Sequence, residues 1–167
     1  MTNWNDRITQ AKKAEQSVLD RLSANGWNAE FFGQAQLSQN CRFYLKNHKG
    51  ENGMPSLIRW MPDLIAYSHL GVALIDAKTG RKDTSNHAIE TIAIETAGIY
   101  GYWLNTPTYF VFDENMTVLT PDEAWNLGVE GSQSSNGSGT PYLLVKKTSA
   151  HAFDDVFPVI KRTPEQT

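Results

Sequence analysis

Two aspartates and a lysine are spaced so that their side chains can converge. Asp63 follows Pro62, and after a twelve-residue gap comes Asp76-Ala77-Lys78. Leu64–Tyr67 and Val72–Asp76 read as two strands joined through Ser68-His69-Leu70-Gly71. Both flanks are rich in β-branched and aliphatic residues, and Ser68 and Gly71 supply turn chemistry. A tight hairpin centred on His69-Leu70 pairs Tyr67 with Val72, Ile65 with Leu74 and Asp63 with Asp76. Like charges opposed across a sheet destabilise it. The strand period of two brings Lys78 to the face of Asp76. A divalent cation between the carboxylates would relieve the repulsion, and hard oxygen ligands suit magnesium. The structural alternative makes Asp63 a residue that leads into a strand and Asp76 with Lys78 a solvent-facing ion pair.

A third carboxylate comes from the stretch Asn5 to Asn25, which reads as an amphipathic helix stopped by Asn25-Gly26. Its apolar positions are Ile8, Ala11, Val18, Leu19 and Leu22, and Glu15 falls within that stripe. A carboxylate buried alone costs several kcal/mol or stays protonated. Glu15 therefore sits at the solvated edge of the stripe or faces a cation.

Together these residues resemble the PD-(D/E)xK nuclease superfamily, whose pattern is a helical Glu, a strand at Pro-Asp, a strand ending in Asp/Glu-x-Lys, and a following helix. The matching elements are Glu15, Pro62-Asp63, Asp76-Ala77-Lys78 and the helix after Ser85, within residues 5–113. The resemblance implies an α/β fold of the restriction-endonuclease-like type, with a central mixed β-sheet flanked by helices. It implies a magnesium-dependent DNA endonuclease, with manganese as substitute, working as a homodimer. Asp63 and Asp76 would ligate the metal, with Glu15 as a direct or water-bridged ligand and the carbonyl of Ala77 as a further oxygen. Lys78 would orient the attacking water or stabilise charge on the phosphate. Arg81, Lys82, Arg59 and Tyr100 are the candidate nucleic-acid contacts. The chain departs from the branch carrying Gln-x-x-x-Tyr, because Thr96 stands four residues before Tyr100.

The 167 residues suit one domain, with a core over about 5–146 and a loose tail over about 158–167. Hydrophobic content of 40% with five Trp, six Tyr and seven Phe argues a folded globule. Cys41 is alone, so no internal disulfide is available and a reducing, cytoplasmic setting is expected. No apolar run approaches the ~18 residues of a membrane span, and the first residues lack signal-peptide character. A net charge of −3 is unusual for a DNA-binding chain. Arg81-Lys82, directly after the Asp-x-Lys run, is the basic group best placed for phosphate. The His residues and Cys41 have no zinc spacing, and there is no phosphate loop or nucleophile elbow.

Elsewhere Trp27–Phe32 reads as a strand, and residues 33–56 as a lid or extra strand around Arg42–Leu45. Asn86 to Asn105 reads as a helix and Tyr109–Phe112 as a buried strand. Thr120-Pro121-Asp122-Glu123 reads as a capped helix start, and Tyr142–Lys146 as a strand. Gly131–Thr140 reads as a flexible loop. Two readings compete with the nuclease: a non-catalytic nucleic-acid-binding or assembly protein on the same scaffold, and a small α/β protein unrelated to nucleic acid.

Overall fold

The computed structural model of the chain describes residues 4–47, 54–80, 82–132 and 139–161. In chain order its first elements are α1 (Trp4–Ala24), β1 (Asn28–Phe31), α2 (Gln39–Asn47), α3 (Met54–Arg59), β2 (Leu64–Ser68) and β3 (Gly71–Lys78). Then come β4 (Asn86–Glu90), α4 (Thr91–Leu104), β5 (Thr108–Phe112), β6 (Thr117–Leu119) and α5 (Pro121–Leu127). The last are β7 (Val129–Glu130), β8 (Tyr142–Lys146), β9 (His151–Ala152) and α6 (Phe153–Val156).

The hairpin β2–β3 forms in the expected register, with Tyr67 opposite Val72, Ile65 opposite Leu74 and Ser68 opposite Gly71. Gly71 turns the corner at φ +143, a conformation that L side chains rarely adopt. The Ser68 hydroxyl accepts from the Leu70 amide at 3.1 Å and closes the turn. β5 lies parallel to β3, while β1, β2, β6 and β9 join antiparallel, so the main sheet is mixed in the order β1-β2-β3-β5-β6-β9. One face carries Leu64, Ala66, Ala73, Ile75 and Val111 against Val18 and Leu22 of α1. The other carries Phe110 and Phe112 against Ala93, Ile94 and Ala97 of α4. A smaller sheet, β4-β8-β7, adds Ile89, Leu143 and Val145 to that second core. The architecture is an α/β sandwich with a central mixed sheet flanked by helices. No helix among the described residues is long and apolar enough to cross a membrane.

Four expectations are corrected. The stripe of α1 that is fully buried runs through Ala14, Val18 and Leu22, at intervals of four, while Ile8 is 40% exposed. Residues 33–56 hold α2 and the start of α3, so the extra-strand alternative for this stretch is not met among those described. In the piece Arg42–Leu45, Phe43 is 67% exposed while Leu45 is buried, whereas two residues apart in a strand would share a face. The segment 86–105 is a strand followed by a helix. His87 and Ile89 are buried with Ala88 exposed between them, the alternation that pairing with β8 requires. After Phe157 the chain is anchored: Pro158 accepts from the Trp27 indole at 3.1 Å, and Ile160 N donates to the Asn25 carbonyl at 2.8 Å. The rest of the tail, 162–167, and the loop centre, 133–138, lie outside the described residues. The expected start of α5 holds, with Thr120 and Glu123 forming a reciprocal capping box.

Candidate active site

Asp63 is the residue just before β2, and three backbone contacts fix it. Its amide donates to Ile75 O at 2.9 Å, and its carbonyl accepts from Phe32 at 2.7 Å and Gly33 at 3.2 Å. Gly33 is needed for that approach, since a Cβ there would lie 2.5 Å from the Pro62 carbonyl oxygen. Continuing the β2–β3 register by one residue sets Asp63 across from Asp76. The Asp63 carboxylate accepts from the Ala77 amide at 2.9 Å. Asp76 and Lys78 project to one face at the end of β3, and Lys78 Nζ lies 3.0 Å from Asp76 Oδ2. The same ammonium is 3.8 Å from Glu90 Oε2 and 5.7 Å from the centre of the Phe110 ring. Beyond it, Asp113 N donates to the Lys78 carbonyl at 3.1 Å, and Asp113 Oδ1 accepts from Gly80 N at 2.9 Å.

The electrostatics follow from this crowding. Burial pushes the Asp63 carboxyl well above its ordinary range, and the charges of Asp76 and Glu15 push it further. Burial also raises Glu15, with Lys12 opposing and Asp76 adding. For Lys78 burial acts downward, but Asp76 and Glu90 outweigh it and hold the ammonium above an ordinary lysine. Coupled carboxylates that favour protonation mark a place where positive charge is wanted. Among the described residues no three His, Cys, Asp or Glu side chains gather closely enough to hold a metal ion, so Glu15 does not join Asp63 and Asp76 in a three-carboxylate cluster here. The oxygens the described residues bring together at the end of β3 are the carboxylates of Asp63 and Asp76, with the Asp63 carboxylate also accepting from the Ala77 amide.

The other candidate residues are spread differently. Tyr100 donates its hydroxyl to the Leu57 carbonyl at 3.1 Å and so ties α4 to α3. Arg59 ends α3, where its carbonyl accepts from the Gln34 amide. Lys82 is exposed, and Arg81 lies outside the described residues. Lys147, part of a basic pair in the sequence, is held by Glu114 at 2.8 Å. Thr96, standing where one nuclease branch has Gln, is buried on α4. Sequence reasoning missed Glu90, because the segment 86–105 reads as one helix. The alternation of His87 and Ile89 around Ala88 was the available signal.

This chain has the restriction-endonuclease-like fold. Among solved structures it is similar to Archaeoglobus fulgidus Hjc, a Holliday junction resolvase from an archaeal hyperthermophile. The identity there is 11% and the TM-score 0.56, over 92% of this chain and 99% of that one. It also resembles a nuclease from a fusselovirus at 12% identity and a TM-score of 0.48, over 94% of this chain and 91% of that one. No protein-family model matches the sequence, and no curated protein does.

Proposed function

We propose that the protein is a magnesium-dependent DNA endonuclease acting on branched or otherwise distorted duplexes. The observation that carries this reading is Asp63 set across from Asp76, with Lys78 two residues on and 3.0 Å from the second carboxylate. These lie on a fold shared with a junction resolvase. Asp63, Asp76 and the Ala77 carbonyl would hold the ion, with the half-buried Glu15 carboxylate reaching it through water; manganese is the expected substitute. Such an ion, when bound, supplies Lewis-acid polarisation of the scissile phosphate and a water of lowered pKa. Lys78 offers its ammonium to the developing phosphate charge, the compact point-charge role that suits lysine. Asp63 accepts the Ala77 amide and so keeps the end of β3 in place beside the reacting phosphate.

Ile99, Tyr102, Trp103 and Leu104 on α4 and Trp125 and Leu127 on α5 are large apolar side chains left exposed. A second copy of the chain is the partner we propose for the exposed apolar side chains of α4, presenting two sites to two strands. The test is cleavage of linear, circular and four-way-junction DNA with magnesium and with EDTA, alongside sedimentation for the assembly state. Magnesium-dependent nicking that Asp76→Ala abolishes is expected. Salt-sensitive binding with no cleavage under any metal would replace the enzyme with a scaffold.

A further inference from the structure

Between β1 and β2 the chain inserts α2 and α3 at the end of the sheet that carries the candidate site. The insertion leaves β1 after Phe31, which pairs with Leu64, and returns at Asp63. At its start the Phe32 and Gly33 amides donate to the Asp63 carbonyl, and the Gln34 side chain donates to the Arg59 carbonyl. Toward its end the Leu57 carbonyl accepts from the Tyr100 hydroxyl, which sets α3 against α4. That is the side of the sheet on which Lys78 lies over the Phe110 ring. Arg59, the last residue of α3, stands four positions before Asp63.

α2 packs on α3 and has two distinct faces. Leu45 is buried, and Cys41, one turn earlier, is half-buried. Gln39, Arg42 and Phe43, at spacings of three and four, share the outward face, and all three are exposed. The charge around the Phe43 ring says what would cover it. The nine residues of α2 include no acid. Over 32–62 the sequence holds Arg42, Lys46, Lys49 and Arg59 against Glu51 alone, in a chain whose net charge is −3. Basic charge is therefore concentrated in the segment that leads into Asp63, while the chain as a whole is acidic. Among the described residues no carboxylate forms an ion pair with Arg42 or Arg59. A guanidinium free to meet phosphate, beside an aromatic ring open to water, is the pairing that unstacked nucleic acid recognises.

We infer that the outward face of α2 is a DNA contact, with Arg42 on a phosphate and Phe43 stacked on a base that has left the duplex. The inference rests on the nuclease reading and adds a source of selectivity to it. In an intact duplex both faces of each base are covered, so the ring finds a partner only at a distortion. Freeing a base costs least where it is already unpaired, and such DNA would be favoured.

The test measures binding of the full chain in calcium over a range of salt. The probes are a fully paired duplex and the same duplex carrying three unpaired adenines. Arg42→Ala should weaken binding to both and flatten the salt slope by about one unit, and Arg42→Lys should restore the slope. Phe43→Ala should weaken binding to the bulged duplex at least about fivefold and leave the paired duplex unchanged, while Phe43→Trp should bind as the native protein does. Both side chains are exposed, so every variant should melt with the native protein. A native salt slope in Arg42→Ala, or native affinity for both DNAs in Phe43→Ala, overturns the assignment. A truncation that melts well below the native protein overturns it too, because the face would then be covered from within. In each of these cases plasmid cleavage with magnesium leaves the nuclease standing. A native protein that neither binds nor cleaves any DNA overturns the nuclease reading, and the α2 contact with it.

Discussion

Replacing Asp63 with Asn should stabilise the metal-free protein while abolishing cleavage, a combination that a purely structural aspartate would not give. Residues opposed across an antiparallel pair have their Cβ atoms about 5 Å apart. At that distance two carboxylates repel by about 3 kcal/mol at an effective dielectric of about 20. Lys78, 3.0 Å from Asp76, offsets part of this. The Asn carbonyl can still accept the Ala77 amide that Asp63 now accepts at 2.9 Å. An unpaired amide N–H of the new side chain would cost about 1 kcal/mol. The net gain is then about 1–2 kcal/mol, or about 2–8 °C in Tm for a chain of this size. The pH dependence has a defined sign. The folded protein binds the Asp63 proton more tightly than the unfolded chain does, because the folded pKa is raised. Its stabilising share is therefore complete below the ordinary carboxyl range and is lost as pH rises through the folded value. The slope is at most about 1.4 kcal/mol per pH unit for one proton. Glu15, also raised, acts in the same direction. Thermal melts in EDTA from pH 4 to 8.5 should show the native protein losing stability relative to the Asp63→Asn variant as pH rises, over a shared background in which His87, held down to about 4, acts in the opposite sense below its ordinary range. Magnesium should raise the melting temperature of the native protein at pH 8 and leave the variant nearly unmoved. A variant that melts lower in EDTA, with no advantage over the native protein that grows as pH rises, would refute the argument.

Glu15→Gln should keep the fold, weaken magnesium binding and slow cleavage less than loss of Asp76. Native rates at limiting magnesium would remove the helix carboxylate from the site. Lys78→Met should leave DNA affinity in calcium nearly unchanged and lower the single-turnover rate by about 10²–10³; lost affinity with a native rate would make Lys78 only a phosphate anchor. Gly98 is exposed on α4, and a Cβ there would meet nothing within 4 Å. Gly98→Ala should therefore raise stability by about 1 kcal/mol in urea unfolding of the monomer; a loss there would refute the open space above Gly98.

Local pattern alone was enough for the hairpin, because its information is short-range. Turn chemistry at Ser68 and Gly71 and a period of two fixed the register, and the register set Asp63 across from Asp76 with Lys78 on the same face. The helix start at Thr120 was legible for the same reason, since a capping box is complete within four residues. Where sequence reading erred, distant partners decided. Residues 86–90 have helical-looking apolar spacing, yet β8, more than fifty residues later, offers a strand edge, and pairing with it makes β4. Only that pairing puts Glu90 beside Lys78 and lays His87 flat on Phe112. The tail beyond Phe157 looked loose because its partners, Asn25 and Trp27, lie at the opposite end of the chain. Glu15 lay between these cases. The sequence set it near an apolar stripe, but only the packing of α1 through Ala14, Val18 and Leu22 left its carboxylate half-buried within reach of Asp76's charge. Residue types and short spacings determined the chemistry this chain carries. Which charges stand together in a low-dielectric pocket was decided by contacts between segments far apart in sequence, where no local periodicity can record them.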